Sequence, residues 1–106
     1  MQKVVIWGAG AIGGMIGANL ARAGENVLLV DIVSAHVEQM NRQGLFVEKD
    51  QAGYNVKVKT STPEEVKPPL DLVFLAVKSQ HTGNALTMIK PLMAKDGIVV
   101  SLQNGL

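Results

Sequence analysis

KVVIWGAGAIGGMIGANLARAGENVLLVD, residues 3–31, decides how the rest of the chain can fold. Val4-Val5-Ile6-Trp7 is an apolar run of the kind that fills a buried parallel strand. It enters Gly8-Ala9-Gly10-Ala11-Ile12-Gly13 directly. Ile12, Ile16 and Leu20 then recur at helical spacing, with Met15 and Asn19 beside them, which predicts a helix face packed on a sheet. Gly24 is placed to end that helix, and Val27-Leu28-Leu29-Val30 forms a second apolar strand that stops at Asp31. Strand, glycine turn, helix, strand and acid follow one another within about 30 residues, the fingerprint of a dinucleotide-binding βαβ unit.

Each residue type has a physical reason in that unit. Gly8 permits the tight turn out of the strand, and Gly10 lets backbone approach a pyrophosphate with no Cβ between them. Gly13 lets helix and strand pack closely. Ala9, Ala11 and Ile12 complete the loop whose N–H groups, at a helix start, face a diphosphate. Asp31 lies about 20 residues beyond the glycines, where a carboxylate can accept hydrogen bonds from an adenosine ribose.

Composition narrows the alternatives. A chain of 106 residues, 47% hydrophobic but with one tryptophan, one tyrosine and two phenylalanines, fits one small domain with an aliphatic core. Its net charge of +1, spread along the chain, gives no footprint for nucleic acid. The absence of cysteine excludes disulfides and thiolate metal or redox sites, and nothing in the spacing of acids and histidines indicates a metal. The uncharged run after Lys3 is interrupted by Gly8, Gly10, Gly13, Gly14 and Gly17 and is too short to span a bilayer. It is read as strand, turn and helix rather than as a signal peptide, and a cytoplasmic location without membrane partners is the expectation.

Downstream, Ser34 is placed as the cap of a helix to about residue 43, with Val37 and Met40 on its inner face and Gly44 at its end. Residues 45–48 and 54–59, separated by a turn with Asp50 and Gly53, form an antiparallel hairpin at the sheet edge with its lysines toward water. Thr62-Pro63-Glu64-Glu65 reads as a capping box opening a short helical turn before Pro68-Pro69. Residues 70–77 make the most apolar, central strand. Ser79 caps a helix to about residue 94, bent near Pro91, and residues 98–102 form the last strand. The fold class is therefore α/β, a Rossmann-like doubly wound parallel sheet with an edge β-hairpin, its first strand flanked by strands 26–30 and 71–77.

That order puts a topological switch point beside the glycine loop. The loop, Asp31, Lys78 and Asn104 all lie just past the carboxyl ends of parallel strands, the ligand-binding edge of such sheets. Taken singly, Lys78 could be a solvated strand end and Asn104 a turn residue. Gln80 and Thr82 follow Lys78 and are further candidates for lining the site, and Trp7 is read as a packed strand residue in preference to one bordering the site. His36 and His81 stand near helix starts without a partner at metal or triad spacing.

Taken together, Gly8-Ala9-Gly10-Ala11-Ile12-Gly13-Gly14, Val77-Lys78-Ser79-Gln80 and Leu102-Gln103-Asn104-Gly105 resemble the ketopantoate reductase (2-dehydropantoate 2-reductase) family along the whole chain. The resemblance implies that the glycine loop binds the cofactor diphosphate. It also implies that Lys78 contacts the nicotinamide end, and that Asn104 helps hold the nicotinamide ribose and the substrate. It implies reduction of 2-dehydropantoate, a small 2-oxo acid, to pantoate on the route to pantothenate and coenzyme A. Residues 1–106 would then be the N-terminal dinucleotide-binding domain. The proton-donating lysine and most substrate contacts would lie in a C-terminal helical catalytic domain absent from this chain, which leaves no catalytic residue within it.

The resemblance implies NADPH, but members that use it tend to carry a basic residue where this sequence has Asp31, so NADH or NADPH is the expected cofactor, with NADH favoured by Asp31. Two alternatives remain at this point: a non-catalytic NAD-sensing regulatory module, and another two-domain NAD(P)-dependent dehydrogenase.

Overall fold

The computed structural model describes residues 3–49 and 52–102. Five strands form one parallel sheet in the order β5-β2-β1-β6-β7. Here β1 is Val4–Trp7, β2 Val27–Val30, β5 Lys59–Ser61, β6 Leu70–Leu75 and β7 Met93–Ser101. The first strand is flanked by β2 on one side and β6 on the other, as its sequence position beside the glycine loop requires. Among the described residues three α-helices cover the sheet: α1 (Ala11–Arg22), α2 (Ser34–Gln43) and α3 (Thr82–Ile89). Among the described residues no helix is long and apolar enough to cross a membrane.

Strand alternation sorts the core into two layers. Trp7, Val30 and Leu75 stand in register and point to one face, where Ala85 and Ile89 of α3 close over them. Ile6, Leu29 and Phe74 point to the other, against Ile16 and Leu20 of α1 and Met40 of α2. Fully burying side chains of this size contributes roughly 1.5–3 kcal/mol each. The paired apolar strands therefore dominate the fold, ahead of any single cap or loop contact.

The face that α1 turns to the sheet matches the expected one in part: Ile16 and Leu20 pack against the core, whereas Ile12, Met15 and Asn19 lie outside that face. Its buried residues are Gly13, Gly14, Gly17 and Ala18. Ile12 and Met15 are 44% and 56% exposed. Small residues win this face because the helix lies too close to the sheet for larger ones. A Cβ on Gly17 would come within 2.9 Å of Leu29 Cδ2, and one on Gly13 within 1.9 Å of the Gly8 carbonyl oxygen. After Arg22 the chain leaves the helix through Gly24, at φ +84°, while Glu25 N–H donates to Leu20 O at 3.0 Å.

The hairpin is present, as β3 (Leu45–Lys49) paired with β4 (Ala52–Val56), but it forms its own two-stranded sheet instead of extending the main one. Gly53 belongs to β4, opposite Glu48, with the Phe46 ring over it. The alternating run expected over 54–59 breaks after Val56, and Lys59–Ser61 becomes a separate parallel strand. Thr60 explains why this short strand stays docked. Its buried hydroxyl lies 3.1 Å from Val37 O, to which it donates, and also contacts the Asn41 side chain, tying β5 to α2.

Three other boundaries shift. Val33, not Ser34, occupies the N-cap position of α2, and no side chain of the capping residue bonds the helix. Lys78, not Ser79, precedes the 3₁₀ turn Ser79–His81. The third helix ends at Ile89, passes through the 3₁₀ turn Lys90–Leu92, and gives way to β7 at Met93. Pro91 lacks the N–H that would continue the α-helix. β7 absorbs residues 94–97 as an irregularity between the pairs Leu70–Met93 and Leu72–Ile98. The capping-box segment forms the 3₁₀ turn Pro63–Glu65, with Thr62 Oγ1 3.1 Å from Glu65 Oε1.

Gly13→Ala should destabilise the chain by about 1–3 kcal/mol or more, since its Cβ would strike backbone. Gly17→Ala should cost less, because a leucine side chain can yield and alanine gains about 1 kcal/mol in helix propensity. Urea unfolding of the two variants tests that order; equal losses would mean α1 can lift off β1 freely.

Candidate functional site

Hydrogen bonds continue past the strand ends and line up the loops that follow. Gly8 N–H donates to Val30 O at 2.7 Å, Ala76 N–H to Trp7 O at 2.9 Å, and Leu102 N–H to Leu75 O at 2.9 Å. On the other side Asp31 N–H donates to Ser61 O at 3.1 Å. The glycine loop, Asp31, the segment Ala76-Val77-Lys78 and Leu102 are thereby placed along one edge. Asn104 lies outside the described residues.

The three glycines of the loop have separable reasons to be there. Gly8 has φ +109°, and a Cβ on it would press on Val77 and Ala76. Gly13 is required by the close crossing of α1 over β1. Gly10 has an ordinary extended backbone, and a Cβ there would meet nothing within 4 Å. Neither its backbone nor its packing calls for glycine. The missing side chain leaves open space in front of the helix start.

That helix start is bare of negative charge. Gly10 occupies the N-cap without a side-chain hydrogen bond, and no acid stands in the first turn. The first N–H groups of a helix have no intrahelical partner, so the end is suited to an anion. Gly10, Ala11 and Ile12 are exposed here, while Ala9 is buried beneath them.

Two grooves meet at this point. One, of about 610 Å³, runs from Gly8 and Gly10 to Asp31 and Ile32 and is walled by α3. The other, of about 420 Å³, runs from Gly10, Ala11 and Ile12 past Ser79 and Gln80 to Leu102. They share Gly10, Ala76, Val77 and Lys78. Gln80 lines the second groove and Trp7 the floor of the first, whereas Thr82, the first residue of α3, lines neither. His81, Asn84 and Thr87 put a polar stripe along the first groove. Sequence reasoning missed this stripe, although its spacing of three marks one helix face.

The Asp31 side chain is not loose at the strand tip. Its Oδ1 accepts from Val33 N–H at 2.9 Å, and its Oδ2 lies 3.1 Å from His36 Nδ1. Asp31 thus bonds the N–H of Val33, the residue at the N-cap position, and orders the chain's entry into α2 without capping one of the helix's free N–H groups. His36 has a partner after all, on the preceding loop rather than at triad or metal spacing. Among the described residues, no group of three or more His, Cys, Asp or Glu could hold a metal ion.

The family model for ketopantoate reductase PanE/ApbA matches residues 4–106. A 2-dehydropantoate 2-reductase of Pyrococcus horikoshii is 42% identical over 106 residues, which cover 99% of this chain and 34% of the relative. A PanE/ApbA family ketopantoate reductase of Ralstonia eutropha JMP134 superposes with TM-score 0.85 at 43% identity, over 98% of this chain and 35% of that one. D-mandelate dehydrogenase, solved with NADH and anilino(oxo)acetate, gives TM-score 0.89 at 33% identity, over 99% of this chain and 34% of that one. The chain spans about a third of the length of the relatives it matches.

Asp31→Ala should lower stability by about 1 kcal/mol, the usual net worth of one hydrogen bond, here that from Val33 N–H at the entry to α2. Ser34→Ala should change it by less than about 0.5 kcal/mol. Thermal or urea unfolding distinguishes the two. An equal loss at Ser34 would return the capping role to the serine.

Proposed function

Because the chain belongs to the ketopantoate reductase PanE/ApbA family, we propose that its carboxyl-edge grooves bind a nicotinamide dinucleotide. We read it as the cofactor-binding part of an oxidoreductase acting on a small 2-oxo acid such as 2-dehydropantoate. The observation that carries this reading is Gly10, a glycine that the protein's own backbone and packing do not need, set before an uncapped helix start where the two grooves join.

On this reading the N–H groups at the start of α1 hold the diphosphate, and the missing Cβ of Gly10 gives it room. The Asp31 end of the larger groove takes the adenosine ribose. The Lys78, Gln80 and Leu102 end takes the nicotinamide half, and the family resemblance gives Asn104 a part in holding the nicotinamide ribose and the substrate. The bound cofactor supplies a hydride to the substrate carbonyl carbon. This chain contributes binding and orientation, fixing the reacting atoms against each other. The general acid and most substrate contacts belong to a second domain, in keeping with the length of the relatives, so residues 1–106 alone bind cofactor without turning over substrate.

NADH is the cofactor we favour. The 2′-phosphate of NADPH would bring about two negative charges close to Asp31. One unit charge roughly 4 Å from a carboxylate costs about 1 kcal/mol in water and about 4 kcal/mol at an effective dielectric near 20. Ile32, Val33 and Ser34 supply no cation to offset it. The likeness to D-mandelate dehydrogenase solved with NADH supports this choice.

Gly10→Ala should leave stability within about 0.5 kcal/mol of the parent and still weaken NADH binding by about tenfold, equivalent to 1.4 kcal/mol. Calorimetric titration of the folded variant checks both; unchanged affinity would remove the diphosphate from this loop. The unsubstituted chain should prefer NADH over NADPH by at least about tenfold in Kd. Tighter binding of NADPH would mean that Asp31 faces away from the ribose.

A further inference from the structure

Asp31 reads the ribose only if its carboxylate stays where it is, and His36 is a side chain that holds it there. The two carboxylate oxygens are held from the α2 side, Oδ1 by Val33 N–H at 2.9 Å and Oδ2 by His36 Nδ1 at 3.1 Å. A carboxylate only accepts, so Nδ1 carries the proton at this contact. Each oxygen keeps lone-pair capacity for a ribose hydroxyl. The Asp31 side chain is 15% exposed and that of His36 38%, so the pair sits at the groove margin with the acid inside and the imidazole outside.

We propose that His36 is a positioning residue for cofactor choice, one that fixes the Asp31 carboxylate in the attitude that accepts a 2′-hydroxyl and rejects a 2′-phosphate. This rests on the reading of Asp31 as the ribose-binding acid. An aspartate held by one backbone N–H could swing about its side-chain bonds when a phosphate arrives, and the repulsion would relax. Held at both oxygens, it can move away only by breaking the His36 contact. The same restraint keeps it ready for NADH, so ordering the side chain does not reduce the gain on binding. His36 therefore acts on the difference between two ligands, which is what specificity measures.

The test uses the 106-residue chain with NADH and NADPH as probes, their Kd values taken from NMR or calorimetric titration. His36→Ala should weaken NADH and ease NADPH, lowering the preference ratio by about 3–10-fold, the span expected for one hydrogen bond. His36→Asn should restore the ratio to within about twofold, because its amide nitrogen lies the same number of bonds from Cα as Nδ1 and can donate to the same oxygen. A merely structural role would weaken both cofactors alike and leave the ratio where it was. An unchanged ratio in His36→Ala, or no recovery in His36→Asn, overturns the proposal. Asp31→Asn separates the two layers of the argument. If it abolishes the preference while His36→Ala does not alter it, only the role of His36 fails. If it too leaves the ratio unchanged, or if the chain binds neither cofactor, the ribose reading fails and His36 with it.

Discussion

The contact between Gly13 and the carbonyl oxygen of Gly8 is the constraint on which the architecture depends. The first helix crosses the end of the first strand so closely that a Cβ would fall within 1.9 Å of that oxygen. Such proximity brings Gly17 against Leu29, seats Ala18 in the interior, and turns the start of α1 toward the crevice between β1 and β6. A helix held farther out would bury larger residues but would point its free N–H groups elsewhere. Core packing and anion binding are thus set by one backbone approach.

The parts of the fold that the sequence displayed most openly are those governed by local pattern. Apolar runs at 4–7, 27–30 and 70–75 could only be buried strands, and a glycine loop between two of them fixes a right-handed crossover. The order β2-β1-β6 follows from those facts. The hairpin was visible in the alternation around Phe46 and Tyr54, and the capping box showed itself as a short turn.

Features set by distant contacts were harder to see. β5 is three residues long, and what makes it a strand is the reach of Thr60 to Val37 and Asn41 on α2. The face of α1 is legible in Ile16 and Leu20 but not in its glycines, because hydrophobicity alone favours Ile12 and Met15 over glycine, whereas the separation of helix and sheet decides the matter. The end of α3 was overrun because Met93 and Ala94 suit a helix and only the partner β6 recruits them into a strand. At the site, the glycine loop, Asp31 and Lys78 were legible as strand-end residues. His36 was not, since its partner lies five residues back across the entry to α2, whose geometry no spacing rule encodes.

The separateness of the β3–β4 sheet has a consequence for how the molecule breathes. Among the described residues its backbone ladder closes on itself and shares no strand pairing with the five-stranded sheet. Leu45, packed on the cluster of Ile6, Leu29 and Met40 and near Gly14, with Arg22 bonded to and stacked over Tyr54, fastens it to the rest of the molecule through side chains. Opening it therefore breaks no bond of the central ladder. A unit so attached is expected to exchange its amide hydrogens at lower free energy than β1 and β6 do. The face of α1 beneath it can be uncovered and covered again without disturbing the edge that carries the glycine loop.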